Sequence, residues 1–234
     1  MKLICFPHAG GFSFYYNFFR RIDGVKKEDL FLYEYPGRGI KAKEQKAQSI
    51  MEIAENAAKE IVMFTEKDNF CIFGHSMGAF VAYETEGILE RKYGKKAEKL
   101  IVSGQHPPKC FDPHHYSFSN TNDLDRYLMS LGGFPEEIRT NQEIFEALFG
   151  QCRYDIQLLQ RYRPSENVIV SDTVVVCGDS DLEVGDTEHL RRWNESTENL
   201  MEIKIFSGTH FYMKEQEKDF LFYISNVIKG ETNR

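Results

Sequence analysis

The chain has 234 residues, 41% of them hydrophobic, and a formal net charge of −7. That length suits one α/β domain with a large core, and Lys and Arg scattered among a surplus of Asp and Glu argue against nucleic acid as a partner, since such binding needs clustered neutralisation of phosphates. The five cysteines are odd in number. Cys5, Cys71 and Cys177 fall inside apolar runs, which points to reduced core thiols and to neither a disulfide framework nor a metal site. Pro7 arrives before any segment long enough for a signal peptide or membrane span, which predicts a cytoplasmic protein without a membrane partner.

In chain order, Leu3 to Phe6 reads as a short strand entering the Gly-rich loop Pro7-His8-Ala9-Gly10-Gly11, and Phe14 to Arg21 as a first helix. Leu30 to Tyr35 is strand-like and closes at the turn sequence Pro36-Gly37-Arg38-Gly39. Ser49 and Glu52 form a capping box for a helix whose apolar face is Ile50, Ile53, Ala54, Ala57, Ala58 and Ile61. Phe70 to Phe73 is an apolar strand that stops at Gly74-His75-Ser76-Met77-Gly78, and a helical pattern starts at once and runs from Met77 to about Tyr93, with Gly94 as its stop. Leu100 to Ser103 is the next strand.

From about Gln105 to Asn167 the rhythm changes to helices alone. Asn122 to Leu131 is stopped by Gly132-Gly133, Pro135 suits the start of a short helix, and a longer pattern carries Ile144, Phe145, Leu148, Phe149, Cys152, Ile156 and Leu159. Strands return at Thr173 to Cys177 and Met201 to Phe206, and a final helix spans about Glu215 to Lys229. Continuous apolar strands alternating with amphipathic helices predict an α/β fold with a mostly parallel central sheet covered on both faces. The expected organisation is one domain over 1–234, with the 105–167 insertion as a helical lid or cap.

Four of the six predicted strand ends carry distinctive loops, at Pro7 to Gly11, Gly74 to Gly78, Gly178 to Asp181 and Ser207 to His210. Ligands of open α/β sheets gather at such ends. Gly-x-Ser-x-Gly between a strand and a helix pushes Ser76 out on a tight turn, where only glycines fit two residues to either side. A serine needs a base, and the base an acid to hold its tautomer. Of the seven histidines, His210 follows a strand end. His75 adjoins Ser76 and would point away from it, His8 would line the mouth, and His106, His114, His115 and His189 fall in the cap or on helices. For the acid, Asp179, Asp181 and Asp186 all follow the same strand; Asp179 suits the turn and Asp186 a helix N-cap.

Phe6-Pro7-His8-Ala9-Gly10-Gly11, Pro36-Gly37-Arg38-Gly39, Gly74-His75-Ser76-Met77-Gly78, Leu131-Gly132-Gly133 with Pro135, Gly178-Asp179-Ser180-Asp181 and Gly208-Thr209-His210 together resemble the discrete type II thioesterases of nonribosomal peptide and polyketide synthases, over nearly the whole chain. The resemblance implies an α/β-hydrolase fold lacking its first strands, and hydrolysis of acyl groups from the phosphopantetheine arm of carrier proteins. It also implies Ser76 as nucleophile, His210 as general base, Asp181 as the orienting acid, and the backbone N–H groups of Ala9 and Met77 as oxyanion hole. No metal or cofactor is implied, and a monomer is expected. Thr209 stands where relatives often carry a second glycine beside the histidine. Arg139, Arg153, Arg161 and Arg163 are candidates for contacting an acidic carrier. The alternatives are a small-molecule esterase or lipase, an acyl-CoA or acyl-carrier thioesterase, a chain-terminating thioesterase domain, and a non-catalytic binding module.

Overall fold

The apolar runs fold as six strands: β1 (Lys2–Phe6), β2 (Leu30–Leu32), β3 (Phe70–His75), β4 (Lys99–Ser103), β5 (Asp172–Gly178) and β6 (Leu200–Phe206), the inner four buried on both faces and the edge strands β2 and β6 only partly so. In the computed structural model, which describes residues 1–231, they form one sheet in the order β2-β1-β3-β4-β5-β6, with every neighbouring pair parallel. The register runs Cys5↔Phe73, Phe73↔Ile101 and Ile101↔Val174. Because side chains alternate between faces, this row and its neighbours Leu3, Cys71 and Val176 build one core layer, and Ile4, Phe6, Ile72, Leu100, Val102 and Val175 build the other.

The second layer is covered by α1 (Ile50–Thr65) and α2 (Met77–Tyr93), whose Ala-rich faces let the helices approach closely. The Ser49 hydroxyl caps α1 by accepting from the Glu52 amide at 3.0 Å, and Glu52 reaches back to the Gln48 amide at 2.7 Å. Gly94 ends α2 in the left-handed region at φ 59°. The first layer is covered by α7 (Glu217–Lys229) and by the Ser13–Arg21 segment, which is a 3₁₀ helix burying Tyr16, Phe18 and Phe19. Two further elements differ in extent from the sequence reading. Strand β2 pairs only over Leu30–Leu32; beyond it Tyr33 still donates its amide to Cys5 O at 2.9 Å, and the chain then turns away so that the Tyr35 hydroxyl reaches Pro7 O at 2.6 Å. The final helix is preceded by a separate turn, α6 (Tyr212–Glu215), broken at Gln216.

Between β4 and β5 the chain forms α3 (Thr121–Ser130), α4 (Glu136–Arg139) and α5 (Gln142–Arg161), with two short 3₁₀ turns at Pro108–Cys110 and Pro113–Tyr116. Asn120 and Asn141 cap α3 and α5. The inward stripe of α5 (Phe149, Cys152, Ile156 and Leu159) joins the α1/α2 core layer. Among the described residues no helix is long and apolar enough to cross a membrane.

The tightest backbone approach lies at the end of β3. A Cβ on Gly74 would sit 2.1 Å from Gly78 O, and one on Gly78 2.3 Å from Phe6 O and 2.6 Å from Pro7 O. By contrast, a Cβ on Gly150, within α5, meets nothing within 4 Å. Gly78→Ala therefore lowers stability by about 1–3 kcal/mol through overpacking against backbone, and Gly150→Ala raises it by up to about 1 kcal/mol through helix propensity. Urea unfolding midpoints of the two variants check this pair of opposite signs.

Candidate active site

Ser76 occupies the turn from β3 into α2 at φ 55° and ψ −124°, a backbone conformation rarely adopted by a residue with a side chain. Its amide is tied to Ser103 O on β4 at 2.8 Å, which fixes the turn and leaves the side chain outside the helix. Met77 is the first residue of α2, so its N–H has no carbonyl one turn back to bond and stands at the positive end of a 17-residue helix.

The β1 loop lies alongside. The Gly11 amide donates to His8 O at 2.9 Å, turning that carbonyl into the loop; across a trans peptide the Ala9 N–H points the opposite way. The other loop amides have partners, His8 N–H on the Tyr16 hydroxyl at 3.2 Å and Gly10 N–H on Asp155 Oδ2 at 2.7 Å. Ala9 N–H has none among the described residues.

His210 and Asp181 come from the ends of β6 and β5, brought close because Gly178 has no side chain: a Cβ there would lie 2.3 Å from Gly208 O. His210 Nδ1 is 2.9 and 3.0 Å from the two Asp181 oxygens, and both side chains are essentially inaccessible, at 2% and 0%. Asp179 is exposed and shapes the turn by accepting from Gly208 N–H at 3.1 Å, and Asp186 caps the helical turn that follows it. Thr209 is held by Glu215, which accepts from both its amide and its hydroxyl. Ser76, His8, Ala9 and His210 all line one cavity of about 470 Å³, and Ser76 Oγ makes no hydrogen bond within the described residues. The rest of that cavity is mostly apolar, with Leu128, Leu131, Phe134, Ile138, Leu148 and Ile156 from the α3–α5 region, while Phe14, 65% exposed, stands at the mouth. Phe145 and Phe149 pack on Phe134 and each other.

Burial opposes a charge on His210, but the Asp181 carboxylate beside it, its hydrogen bond and the nearby Glu183 together raise its pKa above the ordinary 6.5. The opposite holds for its neighbours. His75, whose ring centre lies 4.7 Å from that of His210, is pushed well below the usual range by burial and by His210. His8 is lowered to about 3 by burial, His210 and Arg38. His75 Nδ1 bonds Ser103 Oγ at 2.9 Å, and that hydroxyl bonds Tyr212 at 2.6 Å, so His75 forms a neutral, fixed layer beneath His210.

The sequence reading passed over Glu183. Its amide bonds Asp181 Oδ1 at 3.0 Å, and its buried carboxylate accepts from the Tyr116 and Tyr127 hydroxyls and lies 3.1 Å from His115 Nε2. Those hydrogen bonds and the charge of His115 outweigh burial and hold Glu183 at about 2. No periodic signal marks it; its partners arrive from the insertion. Arg38 and Asp155 were missed as a pair, although an Asp on the apolar stripe of α5, between Cys152 and Ile156, was a visible anomaly. Of the arginines considered for docking, Arg139 forks onto Asp125 at 2.9 and 3.1 Å, and Arg163 donates to backbone carbonyls. His106 and His189 contact one another at 2.9 Å away from Ser76's cavity. Among the described residues no group of three His, Cys, Asp or Glu side chains could hold a metal.

A parallel sheet with a strained serine between β3 and α2, and a histidine and an acid at later strand ends, is the α/β-hydrolase fold, which solved thioesterases share. Residues 1–226 match the thioesterase domain family, and the chain belongs to that family. It is 28% identical over 231 residues to the thioesterase PikA5 of Streptomyces venezuelae, covering 97% of this chain and 81% of that protein. It is 25% identical to the medium-chain S-acyl fatty acid synthase thioesterase of Rattus norvegicus, covering 97% and 88%. The structure of BorB, a type II thioesterase from the borrelidin biosynthetic cluster, superposes with a TM-score of 0.81 at 26% identity, covering 97% of this chain and 92% of that one.

His210 titrates above 6.5, and Glu183→Gln, which removes a negative charge and keeps an oxygen for the tyrosines, moves that midpoint downward. Side-chain ¹⁵N NMR titration reads both, with His75 and His8 remaining neutral throughout.

Proposed function

We propose that this thioesterase hydrolyses acyl thioesters on the phosphopantetheine arm of carrier proteins, clearing stalled or wrong acyl groups in nonribosomal peptide or polyketide synthesis. The observation that carries it is the buried His210–Asp181 pair opening, together with Ser76, onto one apolar chamber whose far walls come from the inserted helices. In this reading the 105–167 insertion is a cap over a single hydrolase domain, and the protein works as a cytoplasmic monomer, a location that the buried thiols Cys5, Cys71 and Cys177 suit.

Ser76 Oγ attacks the thioester carbonyl as His210 Nε2 takes its proton, and Asp181 keeps the Nδ1–H tautomer and stabilises the imidazolium. Charge on the carbonyl oxygen is met by the amides of Met77 and Ala9, each such donor contributing about 3–4 kcal/mol to the barrier. As the C–S bond breaks, His210 returns the proton to the departing thiolate. Water, deprotonated by the same histidine, then attacks the acyl-serine; the acid leaves and Ser76 regains its proton.

A second reading is release of medium-chain acyl groups from a fatty acid synthase, the activity in the rat relative's name; the chamber of about 470 Å³ is apolar enough for such a chain. Acyl-carrier proteins loaded with a graded series of acyl groups, set against matched acyl-CoA and oxyesters, separate the readings by kcat/KM. Ser76→Ala is expected to lower kcat by about 10⁴-fold or more on the carrier substrate; equal release by wild type and variant would end the proposal. Only neutral His210 accepts the Ser76 proton, so its raised pKa moves the acid limb of kcat/KM above 6.5. An acid limb below that value would contradict the assignment of the base.

A further inference from the structure

Two opposite charges lie buried against the loop that carries Ala9. Arg38, from the Pro36-Gly37-Arg38-Gly39 turn, and Asp155, from α5, have side chains 3% and 0% exposed, and they meet as a fork, Nη1 on Oδ2 at 2.8 Å and Nη2 on Oδ1 at 2.5 Å. A buried ion pair seldom adds stability over apolar residues of the same volume, so the pair calls for another role.

Apart from a bond that Asp155 Oδ1 accepts from Gln151 Nε2, one turn back on α5, at 3.3 Å, the pair's remaining bonds go to the loop beside Ser76. Asp155 Oδ2 also accepts the Gly10 amide at 2.7 Å, and Arg38 Nη1 donates to Gly11 O at 3.0 Å. Cys152, one turn before Asp155 on α5, holds its Sγ 3.7 Å from Ala9 O and fills the space a Gly10 Cβ would require. The Ala9–Gly10 peptide is thus held at both ends by α5, its N–H by Asp155 and its carbonyl by Cys152. The preceding peptide is held by the Gly11–His8 bond. With both planes fixed, so is the direction of the Ala9 N–H.

We propose that Asp155, itself held by Arg38, is a positioning residue that aims the Ala9 amide at the reacting carbonyl oxygen by anchoring the Gly10 N–H. The inference rests on the oxyanion role proposed for Ala9. A donor of this kind works only within about 2.7–3.1 Å of the developing oxyanion, and a misplacement of about 1 Å is enough to lose about a hundredfold. It also makes α5 a fixed wall of the site, since lifting it would release the loop.

Removing one charge alone strands the other, so the test uses neutral pairs. Arg38→Met/Asp155→Asn keeps an oxygen for the Gly10 amide, and Arg38→Met/Asp155→Leu offers none at similar volume. Phosphonylation of Ser76 by a fluorophosphonate, run to completion, counts folded sites. Its rate, with kcat and KM on an acyl-CoA, reports the site itself. Per titrated site, the Leu-bearing pair is expected to lose at least fivefold in kcat and in labelling rate relative to the Asn-bearing pair, with KM within threefold. A smaller difference overturns the proposal. So does a Leu-bearing protein with no titratable sites beside a fully titrated Asn-bearing one, because Asp155 would then serve folding. Wild type left unlabelled at Ser76 would instead sink the nucleophile assignment.

Discussion

The structure turns on the contact between the β3–α2 elbow and the end of β1. Gly74 lies against the Gly78 carbonyl, and Gly78 against those of Phe6 and Pro7, so strand, helix and loop backbones cross with no side chain between them. This contact sets the distance from Ser76 to the loop carrying Ala9. It also accounts for the left-handed serine, a strain of roughly 1–3 kcal/mol that persists because the surrounding packing leaves no alternative. The Ser76 amide bonded across to Ser103 carries that constraint into the centre of the sheet.

Around that crossing, charge is handled in four ways. Asp181 and His210 share a buried bond, with the acid favouring the imidazolium that burial alone would disfavour. Beneath them His75 and His8 are forced neutral, so the site holds several imidazoles of which one is raised and two are lowered. Divergence of pKa values among neighbouring titratable groups is the usual mark of divided roles. Glu183 adds a second carboxylate held by tyrosines from the insertion, and Arg38 with Asp155 secures the loop from the other side. The inserted helices therefore touch the site at two polar points as well as roofing it with apolar side chains.

Much of the fold was legible because local rules agreed with one another. Apolar runs marked the strands, uninterrupted in β1, β3, β4 and β5 and broken by Glu202 and Lys204 in β6; the Ser49–Glu52 cap and Gly94 gave the bounds of two helices, and the loops at four strand ends marked where chemistry would gather. Extent was less legible. Strand β2 stops at Leu32 although its apolar pattern continues to Tyr35, because Tyr35 is wanted by the Pro7 carbonyl, a demand from another strand end that no local pattern records.

The sequence by itself determined the elbow, the strand-end position of His210 and the candidate acids, since each depends on residues adjacent in the chain. Choosing among the acids needed the tertiary structure: Asp179 and Asp181 stand two residues apart, and only the close approach of β5 and β6 at Gly178 brings one against His210 and turns the other to the Gly208 amide. The same holds for Glu183 with Tyr116 and Tyr127, and for Arg38 with Asp155, 117 residues apart. A buried polar group is defined by its partners, and when those partners come from distant segments only the folded chain can identify them.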